Sequence, residues 1–433
     1  MFFSMKKTVS AARERLSSFF DAATFVELGA YIRRPGNENE TEGVVCGYGA
    51  VGGRLVFAFA QDESAMKGAV DGRHAEKIAM LYEKAVSVGA PVVGMFDSAG
   101  AVVFDGAAAL SGYGVLLDTV AGAAGVVPQI ALVHGKCVGT MAAIASLFDF
   151  SVVTEGASLY VANEESNAAK AAALSAADEA DAFGKVKTLL SYLPDDNCSA
   201  AEAAVTGDDP NRAVALGAKA TAEAALAAVV DSGLFLEVYG GYANEVKVGF
   251  ATLGDQPCVI AAVDGKLTAK GAEKLTKMIR FADAYSMSLV TLVNCAGVDT
   301  TGCDVKLAKA LAKLARAQSE SESARVTVIV GEAVGAGFIF GGSKALGADV
   351  VFALPEAEIA ALPASTAVAF LENDRITSTT DRATVEKEWR EKNATALAAA
   401  SVGAVDDIVD PAELRARIIA ALYMLEGKNG RIL

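Results

Sequence analysis

The sequence predicts an α/β protein built from two copies of one domain, and three observations lead there. Short segments recur at a fixed distance. HAEK at His74–Lys77, DSAG at Asp97–Gly100 and GKCVG at Gly135–Gly139 are answered by GAEK at Gly271–Lys274, NCAG at Asn294–Gly297 and GEAVG at Gly331–Gly335, each 196 or 197 residues further on. Three ordered anchors at one offset mark an internal duplication. Around them each half alternates short apolar runs with helical periodicity, the grammar of a mostly parallel sheet with crossing helices. Finally, 433 residues that are 53% hydrophobic can fill two cores of ordinary domain size. The expected domains span residues 1–225 and 226–433.

Taken in order, each half opens on a Gly-punctuated extended hairpin, GYGAVGGRLVFAFA at 47–60 and GFATLGDQPCVIAAV at 249–263. A helix follows at 74–89, with Ile78, Leu81 and Ala85 on one face, and again at 272–286, with Leu275, Met278, Ile279 and Ala282. Next come PVVGMF at 91–96 and LVTLVN at 289–294, apolar without alternation, as strands buried on both faces are. A second buried strand, PQIALVHG at 128–135 or RVTVIVG at 325–331, runs into a glycine turn and a helix of small residues. The Ala-rich, acidic stretch 163–182 reads as an exposed helix or a loose connection without a ligand role. The junction between halves lies near 195–235 and includes an Ala-rich helix at 211–229. The last helix, 411–427, starts with Pro411 at a first helical position and ends at Gly427.

Composition narrows the function. The net charge of −15 opposes general binding to nucleic acid. The six cysteines, at 46, 137, 198, 258, 295 and 303, have no framework spacing and contain no CxxC, so reduced thiols in a cytoplasmic protein are expected. Two histidines and no paired cysteines argue against zinc. Residues 1–7 do not read as a signal peptide, and no apolar stretch is long enough to span a membrane.

Ligands in such folds bind where strands end and helices begin. Two turns stand out, Gly135–Met141 and Gly331–Gly337. Small residues there let a ligand approach the backbone, and free amides at a helix start carry partial positive charge. Such an arrangement stabilises a carbonyl oxygen that is becoming an oxyanion; close helix–strand packing would call for the same glycines. Neither turn fits a phosphate loop, GxxxxGK[ST]. Ser98 and Thr140 sit in turns without an evident His–Asp partner, and His134 reads as a structural residue at a strand end. His74, at a helix start, reads as a cap or a contact on the ligand face. Ala65-Met66-Lys67-Gly68 looks like a biotin attachment sequence, yet it lacks the second Met and reads as a loop between strand and helix.

Longer segments resemble biotin-dependent carboxyltransferase subunits. They include ARERLSSFFDAATFVELGAYI (12–32), EGVVCGYGAVGGRLVFAFAQD (42–62), GAPVVGMFDSAGA (89–101), LSGYG (110–114), VVPQIALVHGKCVG (126–139), LLSYLPDD (189–196), IRFADAYSMSLVTLVNCAG (279–297), GGSKALGADVVFALPEAEIA (341–360) and VGAVDDIVDPAELRARIIAAL (402–422). The likeness runs from about residue 12 to 427 and takes in the propionyl-CoA carboxylase β and methylmalonyl-CoA or glutaconyl-CoA decarboxylase types. It implies two tandem crotonase-like domains of the ββα-superhelix kind and a homohexamer in which unlike halves of neighbouring subunits face each other. It also implies transfer of a carboxyl group between an acyl-CoA thioester and biotin, with no metal in this subunit. The biotin would ride on a biotin carboxyl carrier protein, and a biotin carboxylase or a membrane sodium-pump subunit would complete the complex. Carried over residue by residue, the enolate is held by the amides of Gly139 and Thr140, and the biotin ureido oxygen by those of Ala336 and Gly337. Ser98, Ala99, Gly100, Gly335 and Phe338 line the substrate.

The chain departs from the family pattern in several places. Thr140 replaces a glycine, and Val102 replaces an arginine after Ser98-Ala99-Gly100-Ala101. Gly335-Ala336-Gly337-Phe338 stands for Gly-Gly-Ala-Tyr, the Ala-rich 163–182 replaces a stretch with His and Gly, and an Arg-His pair is missing from 299–306. These changes leave two alternatives beside an active enzyme, a non-catalytic scaffold subunit and another crotonase-fold activity.

Overall fold

A computed structural model describes residues 10–34, 37–163, 168–217 and 219–429. The chain forms two compact units, Met1–Ser199 and Ala200–Leu433. The first unit holds a mixed sheet in the order Val26–Leu28, Val44–Val51, Arg54–Gln61, Val92–Ser98, Gln129–Val138, Phe150–Thr154, Leu174–Ala176. The first two pairings are antiparallel and the rest parallel. Strand Ser158–Tyr160 pairs with the far end of Gln129–Val138.

The second unit repeats this order with Phe235–Val238, Val246–Leu253, Gln256–Leu267, Leu289–Val298, Arg325–Val334, Val350–Ala353 and Asp407–Ile408. Glu358–Ala360 sits on the far end of Arg325–Val334, as its counterpart does in the first unit. The duplication read from three anchors thus extends to every strand of the sheet.

The helices follow the expected faces. Gly72–Val88 buries Ile78, Leu81 and Ala85, its N-terminus capped by the Asp71 carboxylate and its C-terminus closed by Gly89 at φ 64°. Ala269–Ala284 buries Leu275, Met278, Ile279 and Ala282 and is capped by the Thr268 hydroxyl. The final helix is entered through a single turn, Pro411–Glu413, and runs on as Leu414–Asn429, past the glycine expected to end it.

Three expectations are corrected. The units divide at Ser199/Ala200, so residues 200–225 belong to the second unit. Their helix is shorter than expected, Ala222–Val229, and its Ala225, Leu226 and Val229 join that unit's core. The irregular chain before it is held by polar contacts. Thr206 donates to Asp255 at 2.7 Å, and fully buried Asp231 accepts from Gly254 and Asp255 and lies 2.7 Å from the fully buried Arg415 guanidinium. The described residues of the stretch 163–182 form neither one exposed helix nor a loose connection. Its residues 164–167 lie outside the described set, but Leu174–Ala176 adds an edge strand and Glu179 begins the helix Glu179–Tyr192.

Candidate functional site

In the first unit two turns meet at the carboxyl ends of adjacent strands. Strand Val92–Ser98 ends in Asp97-Ser98-Ala99-Gly100, and strand Gln129–Val138 passes beside it into Gly139 and the helix Thr140–Leu147. Regular pairing is interrupted between Phe96 and Ser98. In that gap the Asp97 carboxylate crosses over and accepts the Lys136 N–H at 3.1 Å. Gly135 lies directly beneath, and a Cβ there would land on the Asp97 carboxylate. The Ala99 N–H donates to the Lys67 carbonyl at 3.0 Å, Gly100 donates to Ser98 Oγ at 3.2 Å, and the Gly100 carbonyl accepts from Val70 at 2.8 Å. The Ala65–Gly68 segment is therefore a buttress for this turn. A Cβ on its Gly68, at φ 64°, would strike the Asp97 carbonyl.

The second unit repeats the device with different side chains. Asn294 Oδ1 accepts the Glu332 N–H at 2.9 Å across a gap between Val293 and Cys295, and a Cβ on Gly331 would land on the Asn294 amide. The Asn294 amide donates to Asp264 at 2.9 Å, and Asp264 also accepts the first amides of Ala222–Val229. A Cβ on Gly337 would overlap the Cys295 carbonyl and come within 2.9 Å of the Gly297 nitrogen. That helix start, Ala336–Phe340, is pressed against the neighbouring turn.

Both helices begin at a glycine in the same unusual conformation, Gly139 at φ 63°, ψ −136° and Gly335 at φ 54°, ψ −121°. A side chain rarely adopts such a φ. Here the expected amide pair needs correcting. The Gly139 N–H donates to the Tyr160 carbonyl at 3.0 Å and the Gly335 N–H to the Ala360 carbonyl at 2.8 Å, because strands Ser158–Tyr160 and Glu358–Ala360 extend pairing up to these glycines. Thr140 and Met141 are the next amides on the first turn, Ala336 and Gly337 on the second. None of the four has an acceptor among the described residues. Thr140 is exposed and Phe338 half-buried. Ser98 is fully buried and bonded within its own turn, so it shapes the site rather than lining it, whereas Ala99 is exposed and Gly100 half-buried.

No side chain here is poised as a nucleophile. Burial pushes the Cys137 thiol up to about 12 and also raises that of Cys295, which donates to the Gly297 carbonyl. Both histidines are neutral: burial lowers His74 and His134 to about 3. His74 is fully buried, and the cap of its helix is Asp71, so it is neither a cap nor a ligand contact. His134 lies within strand Gln129–Val138, not at its end, and its Nε2 is buried without a hydrogen-bond partner among the described residues. Sequence reasoning missed Gln61 and the Tyr160 and Ala360 carbonyls. Asp97 and Asn294 were the first letters of matched anchors, a signal that could have marked them.

The carboxyl transferase domain family matches residues 5–165 and 170–432. Methylmalonyl-CoA decarboxylase subunit alpha of Veillonella parvula is 32% identical over 465 residues, covering 96% of this chain and 90% of the relative. The methylmalonyl-CoA carboxyltransferase 12S subunit of Propionibacterium freudenreichii subsp. shermanii is 31% identical over 466 residues, covering 96% and 89%. Among solved structures, one chain of transcarboxylase 12S, from the hexamer assembly with methylmalonyl-coenzyme A and methylmalonic acid bound, superposes with a TM-score of 0.89 at 29% identity, covering 96% of this chain and 90% of that one. The duplicated sheets and the end-to-end match agree: this chain belongs to the carboxyl transferase family.

Proposed function

We propose that the chain is the carboxyltransferase subunit of a biotin-dependent acyl-CoA decarboxylase or carboxylase, acting on a methylmalonyl-, malonyl- or glutaconyl-CoA class substrate. The observation that carries this reading is the repeated glycine turn with two amides free of acceptors at the helix start. In the first unit the amides of Thr140 and Met141 hold the thioester oxygen, beside Ala99 and Gly100. In the second, Ala336 and Gly337 hold the ureido oxygen of biotin, beside Gly335 and Phe338. Biotin arrives on a carrier protein and is a co-substrate. The C–C bond to the carboxyl group breaks, its electron pair passes into the thioester as an enolate, and CO2 is released within the site. The ureido nitrogen gives its proton to the enolate carbon and takes up the CO2. The amides act by lowering the energy of each developing oxyanion, and no side-chain nucleophile is required. A cytoplasmic homohexamer, joined to a biotin carboxylase or a membrane sodium-pump subunit, is the setting this reading implies.

The test is transfer of the carboxyl group from each of the three acyl-CoAs to a biotinylated carrier by the purified chain, read as decarboxylated acyl-CoA and carboxybiotin formed together. Thr140→Pro removes one N–H at a first helical position, where proline is tolerated. It should lower kcat by about 10²–10³-fold, as loss of one oxyanion donor does elsewhere. Retained turnover in Thr140→Pro refutes the assignment. Absence of both turnover and acyl-CoA binding in the wild type would favour the scaffold alternative, and turnover without biotin a different crotonase-fold reaction.

A further inference from the structure

Beneath the first-unit turns lies a buried polar chain with no counterpart among the described residues of the second unit. Gln61, the last residue of strand Arg54–Gln61, is fully buried, and its Oε1 accepts the Asp97 N–H at 3.0 Å. That bond fixes the orientation of the amide, so Nε2 is the end facing His74 Nε2 at 3.4 Å, with Met141 Sδ at 3.9 Å. An amide nitrogen only donates, so His74 Nε2 must accept and the imidazole proton resides on Nδ1, which is buried without a hydrogen-bond partner among the described residues. Asp97 then passes the constraint on through its own bond to the Lys136 N–H. One side chain thus touches the end of a strand, the first turn of the helix Gly72–Val88, the Asp97 turn and the residue whose amide is assigned to the enolate. At the matching step of the second sheet stands Val263, which is buried and apolar.

We propose that Gln61 is a positioning residue that sets the spacing between the Asp97 turn and the Thr140–Met141 amides, and so tunes the acyl-CoA half of the reaction. The proposal rests on the carboxyltransferase reading, and amide exchange provides a readout that does not. Gln61→Met preserves bulk and removes both polar contacts. The expected result is faster hydrogen exchange at the Asp97 and Lys136 amides, with Asn294 and Glu332 unchanged. Expected with it is a kcat lowered about 10–100-fold, the scale of a small misplacement in a site, while KM for acyl-CoA stays within about threefold.

Gln61→Glu keeps the acceptor for Asp97 but needs one added proton, on the introduced carboxyl or on His74, to satisfy the contact between them. The charged groups around that contact are Lys77 and Asp71 on the helix side, Asp62 just past the end of the strand and Asp97 on the turn. Its activity relative to wild type should fall as pH rises and the pair loses that proton. Unchanged exchange at Asp97 and Lys136 in Gln61→Met overturns the proposal, as does faster exchange with kcat within twofold of wild type. If Gln61→Met does not fold, a flat activity ratio across pH in Gln61→Glu overturns it. If the wild type turns over none of the acyl-CoAs, the functional reading fails, and the exchange pattern alone decides the structural part of this proposal.

Discussion

Acid should loosen the first unit well before the second. The perturbation is a fall in pH from 7 to 5, and the responsible groups are the chain's only two histidines, His74 and His134, both in the first unit. Burial holds each near 3, whereas an unfolded histidine titrates near 6.5. The folded value is the lower one, so between these limits the unfolded state binds the extra proton. The stability is fully present above about pH 6.5 and is lost as pH falls toward 3. With nearly one proton per histidine taken up on unfolding at pH 5, the slope is about 3 kcal/mol per pH unit. Integrated from pH 7 to 5 the loss is about 4 kcal/mol, a large share of the roughly 5–15 kcal/mol that stabilises a domain. In the second unit the lowered aspartates Asp208, Asp255, Asp299 and Asp381 respond only below about pH 4, and Lys274, lowered to about 8, is already charged. Urea titrations at pH 7, 6 and 5, followed by hydrogen exchange for the first unit, should separate the two. The single tryptophan, Trp389, reports the second. A first-unit midpoint that does not move over this range, or an equal shift in both units, would refute the argument.

Other substitutions test the frame of the site. Gly135→Ala forces the Asp97 carboxylate aside and breaks its bond to Lys136. The lost charged hydrogen bond and the overpacking together should cost about 3–5 kcal/mol, read from the first-unit denaturation midpoint. Gly331→Ala meets the Asn294 amide instead, and its cost should appear only in the second unit. Asp231→Ala leaves the Arg415 guanidinium buried without its closest carboxylate. It should destabilise the second unit by about 3–5 kcal/mol and expose residues 200–221 to protease.

Much of this fold could be read in the sequence, because duplication makes each half a control on the other. The hairpins, the two buried strands and the helix faces of Ile78 and Leu275 followed from periodicity. What the sequence did not disclose was irregular backbone held by polar contacts. Residues 200–221 carry no apolar period, so nothing in them pointed to Asp231 and Arg415, which lie 184 residues apart in sequence. The alanines of 168–176 gave a helical signal, yet the edge strand Leu174–Ala176 formed there through pairing with Phe150–Thr154, a long-range choice that local propensity does not encode. Likewise the glycine turns were visible, but which amides remain free depended on Tyr160 and Ala360, carbonyls supplied by strands about twenty residues downstream.

The two units retain what backbone geometry demands and differ where chemistry would require it. A glycine under a crossing carbonyl-type oxygen recurs as Gly135 under Asp97 and Gly331 under Asn294, since either side chain can accept the amide that the interrupted strand leaves open. The residue whose amide is accepted is Lys136 in one unit and Glu332 in the other, both exposed. A fixed cation beside a turn favours an anion there, and a fixed carboxylate disfavours one. An enolate bears a full negative charge, while a ureido oxygen is only polarised until the nitrogen is deprotonated. The proposed division of labour places the stronger anion beside Lys136 and the weaker beside Glu332. Thus Lys136→Glu should slow the acyl-CoA half-reaction more than Glu332→Lys slows carboxyl exchange with free biotin, with the difference shrinking as salt is raised. Equal effects, or no salt dependence, would mean that the two turns are not charge-matched to these ligands.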